Sequence, residues 1–275
     1  MTEARWKLVV DGQSVTIAND RFQLTTNGSA PDLTMDDALL EAADSSQMEA
    51  IVAELQTMTR RTYGQFCGLS RALEIVGERW VLLIIRDLLV GPKSVGDLQR
   101  GLPRIATDIL CTRLNELERT GVVRRDGSAI YELTEWGKEL EDIVHRLSRW
   151  GTRLLVQPRP EDIVTPDSLV MALRSTFRPD AARGLRASYE LHIGEIVIHA
   201  RVDDGVLHAA EGALPKKDLV IEPGRVLKAL MAGEMSPDEA IAAGSVHVIG
   251  DPGLLTRFVE IFRIAGPQDP VSRIG

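Results

Sequence analysis

Thr107, Asp108, Cys111, Thr112 and Asn115 recur at helical spacing on one side of a segment whose other side carries Ile109, Leu110, Leu114 and Leu117, with Arg113 at the edge. The outer set is short and polar. Hydroxyls and a carboxamide of that reach can approach base edges in a major groove, and an asparagine can pair adenine through two hydrogen bonds. A few residues on, Arg124 and Arg125 flank a "DGS" turn that includes Ser128, where guanidinium groups would meet phosphates. Arg104, Arg60, Arg61 and Lys93 could add phosphate contacts. The plainer alternative is a solvated polar face on an interaction module, since arginine pairs at turns are often simply hydrated.

Other chemistry finds little support. There is no G-x-S-x-G elbow, no H-E-x-x-H, no phosphate-binding G-x-x-x-x-G-K-[ST] and no G-x-G-x-x-G. His192, His199, His208 and His247 lie on β-like runs at spacings that match no zinc pattern. The chain therefore reads as a non-enzyme without metal or cofactor. Cys67 and Cys111 fall in helical segments and read as reduced thiols.

The elements that would position the polar face are clear. Residues 66–90 look helical throughout; "LSRALEIVGERW" aligns Leu69, Leu73 and Val76, and "RWVLLIIRDLLVG" reads as a buried helix. Ser94 with Asp97 three residues on is a capping-box variant opening a short helix, and Gly121 stops the next. "VVRRDGSAIYEL" is a hairpin, and Thr134 caps a last helix with Leu140, Ile143, Val144, Leu147, Trp150 and Leu154 on one face. Helix, turn, longer helix and hairpin make a winged helix-turn-helix, whose second helix enters the major groove.

A net charge of −8 over 275 residues speaks weakly against a nucleic-acid partner, but the charge is uneven. Residues 1–57 hold three basic and ten acidic side chains, residues 58–156 sixteen and thirteen, and residues 157–275 thirteen and seventeen. Only the middle segment is basic, and a local face, not the total, meets phosphates. With 44% hydrophobic and 26% charged residues the composition is globular, and the longest apolar run, "VLLII", is too short for a membrane. No leader-like segment opens the chain, and a cytoplasmic protein is expected.

Residues 1–57 show β-like runs around an Asp-Gly step, then acidic helical stretches, "MDDALLEAA" and "SQMEAIVAELQ", and no motif; Met58 is an alternative natural start. "VQPRPEDIVTPDS" is the natural linker, and 156–166 separates the winged helix (58–155) from a second domain (167–265) with a short tail (266–275). The second domain reads as α+β with an antiparallel sheet: an Asp-Gly hairpin, and "SPDEAIAAG" with Ser236 as N-cap, Pro237 at the first helical position and Gly244 as stop.

Two resemblances sharpen this. "CGLSRALEIVGERWVLLIIRDLLVGPKSVGDLQRGLPRIATDILCTRLNELERTGVV" with the following "YELTEWGKEL" resembles the HxlR family of bacterial winged-helix transcription regulators, over roughly residues 58–155. The resemblance implies a homodimer on a palindromic double-stranded operator, with segments 67–89 and 134–155 as the dimer seam. It also places Cys67 at a position that senses oxidants or electrophiles in some relatives. Separately, "SPDEAIAAGSVHVIGD" and its surroundings resemble the sterol-carrier-protein type 2-like fold over roughly residues 165–265. That implies an apolar tunnel, for which Phe177, Leu227, Leu230, Met231, Met235, Phe258, Ile261 and Phe262 are the candidate lining residues of an effector pocket. The alternative is that the same residues pack the core.

The combined reading is a sequence-specific transcriptional regulator, a repressor, acting as a homodimer and responsive to a small hydrophobic effector. The alternative is a carrier of hydrophobic ligands whose winged helix only mediates protein contacts.

Overall fold

Backbone periodicity alone accounts for most elements of the computed structural model, which describes strands within residues 6–34 and then residues 62–155, 159 and 162–264. The chain divides into two units, Met1–Glu74 and Ile75–Gly275.

In the first unit, strands β1 (Trp6–Val10), β2 (Gln13–Ala18), β3 (Arg21–Thr25) and β4 (Leu33–Thr34) form an antiparallel meander in sequence order. Val10 faces Gln13 across the Asp-Gly step expected to turn the chain. The acidic helical stretches expected before Met58, and Arg60 and Arg61, lie outside the described residues. Glu74 accepts hydrogen bonds from the Thr62 hydroxyl (2.9 Å) and the Tyr63 amide (3.0 Å).

The run expected to be helical from 66 to 90 is two helices, α1 (Gly68–Val76) and α2 (Val81–Val90). Trp80 breaks it by adopting φ 81°, a left-handed conformation that costs a bulky residue of order 1–3 kcal/mol. The Arg79 guanidinium lies 5.0 Å from its ring centroid.

In the second unit, α2 leads to α3 (Val95–Gly101), opened by a reciprocal capping box between Ser94 and Asp97. Helix α4 (Thr107–Arg119) follows. Its end is a Schellman closure: Gly121 takes φ 77°, and the Val122 amide donates to the Leu117 carbonyl at 3.0 Å. Strands β5 (Val123–Arg125) and β6 (Tyr131–Leu133) make the wing. Thr134 caps α5 (Glu135–Lys138), and α6 (Leu140–Gly151) runs on from it. Ile84, Ile85, Leu98, Leu110 and Leu114 are fully buried in one core.

The rest of the unit is helix α7 (Pro166–Thr176), with a Thr165–Ser168 capping box, and then a five-stranded sheet. Strands β7 (Arg186–Ile193), β8 (Ile196–Asp203), β9 (Val206–Glu211), β10 (Leu219–Glu222) and β11 (His247–Gly250) stand in the order β11-β10-β7-β8-β9. The expected antiparallel sheet needs one correction: β10 pairs β7 in parallel. After edge strand β9 the chain crosses the sheet before rejoining it, so β10 enters in the direction of β7. Glu190, 1% exposed, anchors that crossover by accepting from the Leu214 amide (2.7 Å), Lys217 Nζ (2.7 Å) and His192 Nε2 (2.8 Å). Burial pushes its carboxyl up, but those donors outweigh burial and hold it at about 2.

Helices α8 (Leu227–Ala232), α9 (Pro237–Ala242) and α10 (Gly253–Ile261) complete the domain. One sheet face, including Ala187, Tyr189 and Leu191, is packed in a second core with Phe258 and Phe262. The strand register places all four histidines of the sheet on the opposite face. Among the described residues no three metal-ligating groups gather.

Candidate nucleic-acid interface

A buried stripe of Leu110, Leu114 and Leu117 fixes the orientation of α4. Thr107, Asp108 and Asn115 are exposed on its other side, while Cys111 and Thr112 are half-buried. The Thr112 hydroxyl donates back to the Asp108 carbonyl at 2.8 Å, so its proton is used within the helix. The turn between α3 and α4 is held by Gln99, a residue the sequence reading passed over. Its amide donates to the Ile105 carbonyl at 2.6 Å and accepts from the Thr107 hydroxyl at 3.2 Å. Glutamine at that place has no spacing signature, so only the folded turn reveals its role.

Arg113 belongs to the scaffold more than to the outer face. Its guanidinium pairs with Glu78 at 3.0 Å and with Glu116 at 2.6 Å, and only 19% of the side chain is exposed. Arg104 is exposed in the turn ahead of α4. On the wing, Arg124 pairs with Glu132 at 2.8 Å. Arg125 lies 3.9 Å from Glu118 and 5.9 Å from the Tyr131 ring centroid. Such exposed pairs contribute about 0–1 kcal/mol, so a phosphate can replace the carboxylate at little cost. Ser128 donates its hydroxyl to Asp126 at 2.8 Å, and the Ser128 and Ile130 amides also donate to that carboxylate, which shapes the tip. The Ile130 amide and the Ser128 groups hold Asp126 below the usual carboxylate range.

Lys93, expected at a phosphate, turns away from this surface and pairs with Asp167 at 2.9 Å. The apolar faces expected for the flanking helices are open: Leu69 is 69% exposed, Ile143 53%, Trp150 63% and Leu154 74%.

Cys67 is exposed one residue before α1. The Ser70 amide, the Leu69 amide and the Ser70 hydroxyl hold its thiol below the ordinary value.

Of the eight candidate pocket residues, some are packed in the core and three line a cleft. Phe258, Ile261 and Phe262 are fully buried, and the Phe262 ring packs at a tilt against Phe177 at 5.5 Å and Phe258 at 4.7 Å between centroids. Leu227 packs against the same core. Leu230, Met231 and Met235 line a half-open cleft of about 350 Å³ with Val259 at its wall and Glu239 and Arg263 among its polar groups.

Comparison with known proteins finds relatives of this part of the chain. The profile of a family described as HxlR-like helix-turn-helix matches residues 75–158. An uncharacterized HTH-type transcriptional regulator of Bacillus subtilis, YvaP, is 38% identical over 89 residues, covering 30% of this chain and 82% of that protein. A second from the same organism, YkvN, is 33% identical over 112 residues, covering 38% and 95%. Among solved structures, quinone-bound YodB from B. subtilis is 34% identical, covering 32% of this chain and 99% of that one, with a TM-score of 0.30.

Proposed function

The chain belongs to the HxlR-like helix-turn-helix family of DNA-binding transcriptional regulators, and from that premise we propose that it acts as a homodimeric repressor on a palindromic operator. The observation that carries the reading is the short polar face of Thr107, Asp108, Thr112 and Asn115, set on a fully buried leucine stripe beside a wing with two solvent-exposed arginines. In this arrangement α4 reads base edges, the wing arginines and Arg104 meet phosphates, and Arg113 braces α4 from inside. One α4 covers one half-site, so two-fold pairing doubles the readout. The exposed Ile143, Leu147, Trp150 and Leu154 on and beyond α6 suit a second copy of the chain.

The sheet domain is read as sterol-carrier-like, with helices on one sheet face. Its cleft at Leu230, Met231 and Met235, which Glu234, Glu239 and Arg263 also line, is the candidate seat for a small effector that pairs an apolar body with a polar group. An effector regulates only if it binds the DNA-competent and incompetent states unequally. Cys67, exposed and with a depressed thiol, is the candidate sensor of oxidants or electrophiles. The regulator is cytoplasmic and non-enzymatic in this proposal; no described helix is long and apolar enough to cross a membrane. The cleft also supports a second reading, a carrier of hydrophobic ligands whose winged helix binds proteins.

Fluorescence anisotropy on the DNA upstream of the protein's own gene tests the reading. Binding that survives scrambled competitor supports the regulator; binding fully lost to competitor favours the carrier.

A further inference from the structure

Helix α7 (Pro166–Thr176) belongs to both cores of the second unit. Val170 and Leu173 are buried against the sheet, whereas Met171 is buried in the winged-helix core. Arg174 ties the two sides together, donating to the Leu89 carbonyl of α2 at 2.8 Å and to the Ala209 carbonyl of β9 at 3.2 Å.

At the other end of α7 two carboxylates meet. Asp87 of α2 is fully buried; its Oδ1 takes the Arg86 guanidinium at 2.7 Å, and its Oδ2 has no hydrogen-bond partner. Asp167, in the first turn of α7, takes Lys93 at 2.9 Å. Gly101, the last residue of α3, sits between them. A Cβ there would lie 2.5 Å from Asp87 Oδ2 and 3.3 Å from Asp167 Oδ2, so the two oxygens converge on the same small space. The charged groups facing Asp87 are Arg86 on its own helix, Asp167 on α7 and Lys93 from the α2–α3 connection; α3 presents backbone at Gly101.

We propose that Asp87 of α2 and Asp167 of α7 form a proton-operated latch that holds the C-terminal domain to the winged helix, with α3 seated on it at Gly101, closed when Asp87 is protonated and loosened when both are ionised. A proton on Oδ2 removes a desolvated charge, ends the repulsion between the carboxylates and supplies the missing donor. Burial raises the Asp87 carboxyl to about 6; Arg86 opposes the shift, Asp167 adds to it and Lys93 opposes it. Once the latch opens, water returns Asp87 to an ordinary value of about 3.9. The closed state therefore holds the proton more tightly, and its advantage is full below about pH 4 and lost as pH rises through 6. Between pH 5 and 8 the opening constant grows about ten-fold. Because Gln99 of α3 bonds the Ile105 carbonyl, loosening α3 also frees the start of α4. The latch does not depend on what the outer face of α4 binds.

Hydrogen exchange of the full chain at pH 5 and pH 8, corrected for intrinsic rates, tests it. Protection of residues 95–101 and 166–176 in the wild type should fall about ten-fold at pH 8, while strands β7 and β8 hold theirs. Asp87→Asn, whose amide replaces the protonated carboxyl, should show the same protection at both pH values. Equal wild-type protection at the two pH values, or an Asp87→Asn chain that keeps the ten-fold change, overturns the latch. Should Asp87→Asn not fold, Asp167→Asn decides: removing the like charge must shrink the pH change, and an undiminished change overturns the proposal.

Discussion

Among the described glycines, Gly137 is where an added Cβ would approach another atom most closely. A Cβ at that position would lie 2.1 Å from the Val122 carbonyl oxygen, 3.1 Å from Leu133 Cδ2 and 3.2 Å from the Val122 carbonyl carbon. Carbon–oxygen contacts settle at about 3.3 Å, so Gly137→Ala overlaps by about 1.2 Å. The oxygen cannot retreat freely, because it accepts from the Thr134 amide at 3.1 Å and the Thr134 hydroxyl at 3.2 Å. Relief must come from shifting the wing against α5. Overpacking costs about 1–3 kcal/mol and loss of one of those bonds about 1 kcal/mol, giving about 3 kcal/mol together. For a unit of this size that lowers Tm by about 6–12 °C. Thermal unfolding followed by the fluorescence of Trp136, exposed next to the site, reads the change. A fall of less than about 2 °C would show that the wing and α5 are not locked as described.

Other perturbations separate the roles of the surface groups. Arg125→Ala should weaken binding to every DNA sequence and reduce the salt slope by about 1, read by anisotropy at several salt concentrations. Asn115→Ala should lower discrimination between operator and scrambled DNA by about 1–3 kcal/mol while leaving general affinity nearly intact; equal losses on both DNAs would remove Asn115 from base readout. Trp150→Glu should convert a dimer to a monomer in sedimentation, since it places a charge on the exposed apolar face of α6. Iodoacetamide should label Cys67 with a half-maximal pH below that of a free thiol, because donors to its sulfur favour the thiolate; a profile centred near the free-thiol value, about 8.5, contradicts this.

The winged helix was legible because its signals are local. The Ser94–Asp97 box, the Gly121 stop, the leucine stripe of α4 and the hairpin are each formed by residues close together in the chain. Departures arose where distant segments decide. Nothing near Trp80 announces a left-handed residue inside an apolar run. Lys93 reads as a surface cation until Asp167, 74 residues away, comes beside it. Arg113 lies at the edge of the polar face by periodicity, yet Glu78 draws it inward. The parallel β7–β10 pair depends on a crossover anchored by buried Glu190, a long-range arrangement that alternation along one strand cannot encode. Apolar spacing also does not distinguish a tunnel wall from a packed core, and Phe258 and Phe262 are packed while Met231 and Met235 line a cleft.

The most direct measurement is anisotropy of the full chain on the DNA upstream of its own gene, against scrambled competitor, at two salt concentrations. Binding should resist competitor and weaken steeply with salt. Binding abolished by competitor, or insensitive to salt, would contradict a sequence-reading role for the Thr107–Asn115 face.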